Sequence, residues 1–310
     1  MGTHRPPTCA HALGQQNSGA VLIAVVGITA VLAGMLVLLL DTQRSTIRRL
    51  DVLFSQTELR YMALSGIVSS LNMIERDKNN ADGLGDIWYP YSTKRTFPLL
   101  NGSIELQLRD ATAYPNMNML ESLAPRPQEY RTAVRSYLAR KQLPTTMVDA
   151  TLDWLDSDDS PQGSGAEAAQ YQSSIPPYRP ANQLMTTPHE LTLLKGVTPD
   201  DAENIAEYLS VIPSYSRVNI NTADSDYLRT LLREGRVSNI ITGRRKAAYN
   251  NLGIAEQDLE ASFPKTVEFS VFSPFFEHKA RVMLEGRKMD VSALIDRESG
   301  KPILRRLIWQ

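Results

Sequence analysis

The sequence is poor in the residues that carry most enzymatic and redox chemistry. Its 310 residues hold one cysteine, Cys9, and four histidines. A single thiol closes no intrachain disulfide and makes no CxxC pattern. GxSxG, P-loop and HExxH patterns are also missing. Charge of either sign is scarcely in excess: the formal net charge is -1 and the pI about 6.5, which excludes a whole-chain electrostatic footprint for nucleic acid. A second long apolar run is absent too. With 42% hydrophobic residues and a mean hydropathy of -0.26, this excludes a polytopic membrane protein and leaves a water-soluble globule with one apolar appendage.

That appendage is AVLIAVVGITAVLAGMLVLLL, Ala20 to Leu40, without Asp, Glu, Lys, Arg, His or Pro. At about 1.5 Å per helical residue, its ~21 residues just cross a ~30 Å hydrocarbon core. Its left edge is sharp: a polar leader, THRPPTCAHALGQQNSG, ends in Gly19. A secretory signal places its cleavage site after the apolar core. Here the only suitable site lies before it. A cut between Gly19 and Ala20 removes Cys9 and leaves the apolar helix as the new N-terminus, which resembles the type IV pilin-like proteins matured by prepilin peptidase.

From Asp41 to Arg76 no proline interrupts the chain, and Ile47, Leu50, Phe54, Tyr61, Leu64, Val68 and Leu71 recur at helical steps. The spacing predicts a helix of about 55 residues, roughly 80 Å long, with its first half in lipid and its second packed on a soluble domain. NNADGLGD (Asn79–Asp86) ends it, because Asn, Asp and Gly tolerate positive φ. TFPLL-NG-SIELQLRD then carries a hairpin signal at Asn101-Gly102, followed by alternating Ile104, Leu106 and Leu108. From Asn116 to about Ala261 the segments are helix-sized, and Thr187-Pro188-His189-Glu190 and Thr198-Pro199-Asp200-Asp201 open helices with a capping hydroxyl, proline and first-turn carboxylates. Alternation returns after Thr266 in VEFSVF, HKARVMLE and ILRRLIW, with turns at Glu285-Gly286 and Ser299-Gly300.

SGAVLIAVV, RDATAYPNMNML, TLDWLDSDDSPQGSGAE, IPPYRPANQLMTTPHELTLLKGVT, VNINTADSDYL and SPFFEHKARVMLEGRK fall in order along the chain. Together they resemble the type II secretion minor pseudopilin K family. The resemblance implies an α+β, pilin-like fold: a long N-terminal helix on a small antiparallel sheet, with a large helical domain, SAM- or helix-hairpin-helix-like, inserted between strands. Its parts are a prepilin leader (1–19), the transmembrane and amphipathic helix (20–76), the first part of the sheet (77–115), the inserted domain (116–263) and the closing strands (264–310). It implies a non-enzymatic subunit, anchored by one span in a bacterial inner membrane with its C-terminal domain in the periplasm. Such a subunit sits at the pseudopilus tip and helps to initiate assembly and export of folded proteins. The implied partners are I- and J-type minor pseudopilins, prepilin peptidase and the inner-membrane platform, with the outer-membrane secretin or cargo beyond them.

Pilin-like proteins commonly carry a Glu at the fifth mature position, whose charge meets a neighbour's terminal ammonium. Here that position is Ala24, which fits a subunit placed first and never docked beneath another. Leu22, Ile23, Val26, Phe54 and Tyr61 are the candidate contacts with other helices. Flanking charge, Arg5 against Arg44, Arg48 and Arg49, points to the opposite topology when read alone.

Asp153, Asp156, Asp158, Asp159 and Glu167 gather around a Gly- and Ser-rich loop. Hard oxygens on a flexible turn suit Ca²⁺, although the spacing is not that of an EF-hand. The family binds calcium near a similar loop; further acids usually follow the Glu there, whereas Ala168 and Ala169 follow here. The alternatives are a calcium site and a solvated loop whose aspartates cap helices. VNINTADSDYL, with the basic Arg244, Arg245 and Lys246, also resembles helix-hairpin-helix modules. It supports an alternative function, a membrane-anchored periplasmic DNA-binding protein of competence type. The Gly-hydrophobic-Gly turn of those modules is missing, so no nucleic acid is expected. His189 falls in a helix's first turn and His278 on an alternating strand, positions that suit structural roles.

Overall fold

The computed structural model describes residues 16–99, 101–232 and 234–309. Most of the leader, Cys9 included, lies outside them. The chain forms two compact units, Met1–Glu58 and Leu59–Gln310. The first consists of the opening turns of helix α1 (Gln16–Arg76), and its residues 19–54 are exposed. Among the described residues, α1 is the one helix long and apolar enough to cross a membrane.

In the second unit α1 covers a five-stranded antiparallel sheet. The strands are β1 (Arg95–Leu99), β2 (Gly102–Asp110), β5 (Phe275–Leu284), β6 (Arg287–Asp296) and β7 (Lys301–Trp309), ordered β1-β2-β5-β6-β7. Leu59, Ala63 and Ile67, four residues apart, pack on Ala280, Val282, Met289 and Val291. Two turns on, Ile74 joins Trp88, Leu106, Leu108 and Phe276. Burying each large side chain contributes about 1.5–3 kcal/mol.

This buried face differs from the one that apolar spacing predicts. Tyr61 and Val68 are exposed, and Leu64 and Leu71 only flank the core. The helix instead turns its small residues inward: Ala63 and Ser70 are fully buried, and Ile104 and His278 press on Gly66. Close approach of helix and sheet outweighs the hydropathy of any one position.

Hairpin geometry sets the register. Leu284 pairs with Arg287 across Glu285 and Gly286, both at positive φ, the two-residue turn that matches strand twist. Leu99 pairs with Gly102, so this glycine already stands in β2. A Cβ there would run into the Met283 carbonyl of the neighbouring strand, so close backbone packing requires the glycine.

β2 and β5 are adjacent, with Asp110 opposite Phe276, and the chain between them forms the helical insertion. It contains α2 (Pro127–Arg140), α3 (Met147–Leu155), α4 (Ala168–Gln172), α5 (Pro199–Tyr208), α6 (Ser225–Leu231), α7 (Glu234–Lys246) and α8 (Leu252–Leu259). Tyr130, Val134, Tyr137, Leu138, Trp154 and Tyr227 are among its core residues. Of VEFSVF, read as a sheet strand, only Phe269–Ser270 (β4) forms a ladder, parallel to Val218–Asn219 (β3). Val267 and Phe269 bury their side chains in the insertion's core, which holds this segment away from the main sheet.

Candidate functional site

Three places carry the sequence-predicted residues. On α1, Gly19, Ala20 and Ala24 are helical and exposed. The apolar candidates are open as well: Leu22 is 66% exposed, Ile23 76%, Val26 59%, Phe54 72% and Tyr61 69%. A soluble chain covers side chains of this size, so these call for lipid or another helix.

The second place is the loop after α3. Asp153 is fully buried, and its two carboxylate oxygens accept the Gln162 amide N–H at 3.0 and 3.2 Å. Gly163, at φ +52°, and Gly165 lie where a Cβ would meet the carboxylates of Asp149 and Asp153, so the loop can close down on α3. Asp149 also pairs with Arg135. Closure brings one carboxylate oxygen each of Asp156, Asp158 and Glu167 within 4.8 Å of one another. Asp153 and Asp159 are not in that group; Asp153 organises the loop and Asp159 is exposed.

The group is electrostatically unfinished. Among the described residues, the two carboxylate oxygens of Glu167 and Oδ1 of Asp156, all buried, have no hydrogen-bond partner. Burial, followed by the charges of Asp153, Asp156, Asp158 and Asp159, pushes the Glu167 carboxyl up to about 7. Burial and the neighbouring Asp158 raise Asp156 as well. Three converging carboxylates, two with orphaned oxygens, fit a hard divalent cation such as Ca²⁺, which would take oxygens from Asp156, Asp158 and Glu167.

The third place is VNINTADSD. Asp224 caps α6 by accepting from the N–H groups of Asp226 and Tyr227. Arg244, from the basic cluster, is buried and donates to the carbonyls of Ile220 (3.1 Å) and Ala223 (2.7 Å), so it holds this loop from inside. It has no freedom to reach a phosphate. His189 is in a first helical turn, and His278 is buried under α1.

Sequence reading missed the buried polar clamps, although two Asn-x-Asn pairs signal them. Asn116 holds Ile212 N–H (3.0 Å) and Ser214 O (3.0 Å). Asn118 holds both Met185 N–H and Met185 O at 2.8 Å. Asn221 does the same for Tyr249, at 2.8 and 2.9 Å, and Asn219 donates to Asp82 O and Ser273 Oγ. Each side-chain amide supplies a donor and an acceptor at one point, as needed to tie an irregular segment that has no ladder.

A long helix with an apolar first half, an antiparallel sheet under its second half and a helical domain between β2 and β5 define a pilin-like α+β protein. Residues 114–214 match the family model for the type II secretion system protein K. Type II secretion system protein K of Pseudomonas aeruginosa is 26% identical over 300 residues, covering 91% of this chain and 88% of that protein. The protein of the same name from Pectobacterium carotovorum is 26% identical over 221 residues, 67% of each. A crystal structure of the GspK-GspI-GspJ complex of the enterotoxigenic Escherichia coli type 2 secretion system contains a similar chain, with a TM-score of 0.64 and 20% identity. The similarity covers 84% of this chain and 99% of that one. Sequence and fold thus agree in what this chain is similar to, the type II secretion system protein K.

Proposed function

We propose that this chain is a minor pseudopilin, cut by prepilin peptidase between Gly19 and Ala20 and carried to the tip of a periplasmic pseudopilus. The observation that carries the reading is the exposed apolar surface of α1, which begins just after Gly19 and meets no cover among the described residues. In the bilayer it serves as a single-pass inner-membrane anchor with the soluble part in the periplasm; during assembly it packs on the helices of I- and J-type minor pseudopilins above the inner-membrane platform. The relative solved with two such partners supports that choice. Ala24 leaves the helix without the acidic group that would neutralise a neighbour's terminal ammonium, in keeping with a subunit placed first. The role is structural, and the helical insertion is the part offered to secretin or cargo. Asp156, Asp158 and Glu167 bind Ca²⁺ and stiffen that insertion. N-terminal sequencing of protein from membranes with prepilin peptidase tests the processing step, with Gly19→Val as control. A start at Ala20, lost in the control, supports the reading; an intact leader in both rejects it.

A further inference from the structure

Three arginines, Arg44, Arg48 and Arg49, are the first cations after the apolar run, and the pilin-like role gives them no task. All three are exposed on α1, within its first compact unit. None has a hydrogen-bond or ion-pair partner among the described residues. We propose that they form a collar that binds the anionic phosphate headgroups of the bilayer crossed by Ala20–Leu40.

The geometry follows from the helix. Arg44 lies about 6 Å beyond Leu40 along the axis, and Arg48 and Arg49 about 12–14 Å. A headgroup layer of roughly 5–7 Å covers each face of the hydrocarbon core. Helical side chains tilt toward the N-terminus, which here is toward the membrane, so each long arginine stem leads its guanidinium back into that layer. Arg44 and Arg48 project within about 40° of one another, and Arg49 about 100° further round. The three therefore span a broad arc of one side and do not all crowd one lipid. Every cation here is arginine, whose planar fork meets phosphate oxygens two at a time. Asp41 and Asp51 share the segment, which stays net positive by one charge. Asp41, adjoining Leu40, is placed for the ammonium of a zwitterionic neighbour.

The collar rests on the reading of α1 as a membrane span, and the two are separable in one experiment. Full-length chain is reconstituted into phosphatidylcholine vesicles and into equimolar phosphatidylcholine and phosphatidylglycerol. Flotation with both kinds of vesicle tests the span. Spin-labelled phosphatidylglycerol and phosphatidylcholine then report which lipid the chain immobilises. The expected result is a preference for phosphatidylglycerol that falls by about fivefold for each arginine changed to Gln and fades in high salt. The triple variant should still float and give an unchanged circular dichroism melt. Equal immobilisation of the two lipids by the wild type, or a preference that survives the triple change, overturns the collar while leaving the anchor intact. Failure to float overturns both.

Discussion

Ser70 Oγ and His278 Nδ1 are 2.9 Å apart, both fully buried where α1 lies on the sheet. Among the described residues the other ring nitrogen, Nε2, has no partner, and Gly66 sits against the ring edge. Burial pushes the imidazole down to about 4 from its ordinary 6.5. The folded chain thus keeps a neutral ring where the unfolded chain takes up a proton. This contribution to stability is complete above pH 6.5, declines as pH falls toward 4 and levels off below it, for a total of about 3 kcal/mol. Thermal melts of wild type and His278→Gln between pH 7.5 and 3.5 test it, and the variant should lose most of the slope between 6.5 and 4. Parallel slopes would show that the ring does not resist protonation.

Glu167 behaves with the opposite sign. Its carboxyl ionises at about 7 in the fold against an ordinary 4.5, so the folded state is most secure below pH 4.5 and weakens as pH rises through 7. The cost is on the order of 2–3 kcal/mol when no cation is bound. In chelator, Glu167→Gln should therefore melt higher than wild type at pH 8 and equally at pH 4. Adding Ca²⁺ should raise the wild-type melting temperature and leave the variant where it was. Calorimetry with Asp156→Ala gives the second reading, since loss of one converging oxygen should weaken or abolish the binding heat. A wild type indifferent to Ca²⁺ at pH 8 would remove the cation from the account.

The asymmetry between what spacing foretells and what it misses is plain along α1. The helix's existence and its end near Arg76 follow from the lack of proline and from the NNADGLGD break. Its buried face does not, because Ala63, Gly66 and Ser70 matter by being small, and hydropathy gives small residues no weight. The same holds in the acidic loop. Five acids in a row of fifteen positions invite a metal, but only the folded loop separates Asp153, turned to backbone N–H groups, from Asp156, Asp158 and Glu167. The β2–β5 pairing, joining segments far apart in the chain, is visible as two alternating strands without their adjacency. Arg244 illustrates the reverse error: three consecutive basic residues look like a surface patch, yet the first of them is an interior clamp.

The asparagine clamps should be costly to remove. Asn118→Leu keeps the volume but leaves Met185 N–H and the Met185 carbonyl buried without partners, and Ile212 O keeps only its longer bond from Asn116 at 3.2 Å. At about 1–3 kcal/mol for an unsatisfied buried group, a loss of several kcal/mol is expected, enough to populate a loosened insertion. Asn118→Asp should be no better, since it keeps the acceptor for Met185 N–H and loses both donated bonds. Hydrogen exchange at Met185 and Ile212 is the direct measure, and unaltered protection there would show the clamp to be redundant.

The buried charges joining sheet and insertion give the sharpest mutational test. Arg109 on β2 donates to Glu277 on β5 at 2.8 Å and to the carbonyls of Ala206 and Leu209, at 2.8 and 3.0 Å, near the end of α5. Arg305 on β7 stands 3.5 Å from the other Glu277 oxygen and donates to Val211 O. Burial alone would raise the Glu277 carboxyl; the charges of Arg109, Lys279 and Arg305 more than reverse this and hold it below the usual range. Glu277→Ala strands two buried guanidiniums and should cost about 3–5 kcal/mol. Arg109→Met should cost a similar amount, because Glu277 loses its nearest cation and the carbonyls of Ala206, Glu207 and Leu209 lose the guanidinium that donates to them. If the pair acts as a unit, the double variant Arg109→Met with Glu277→Ala will be less destabilised than the two single losses added together, by about 1–3 kcal/mol. Simple additivity in denaturant melts would mean that each residue is held by its carbonyls or by Arg305 independently, and that the ion pair does not couple the insertion to the sheet.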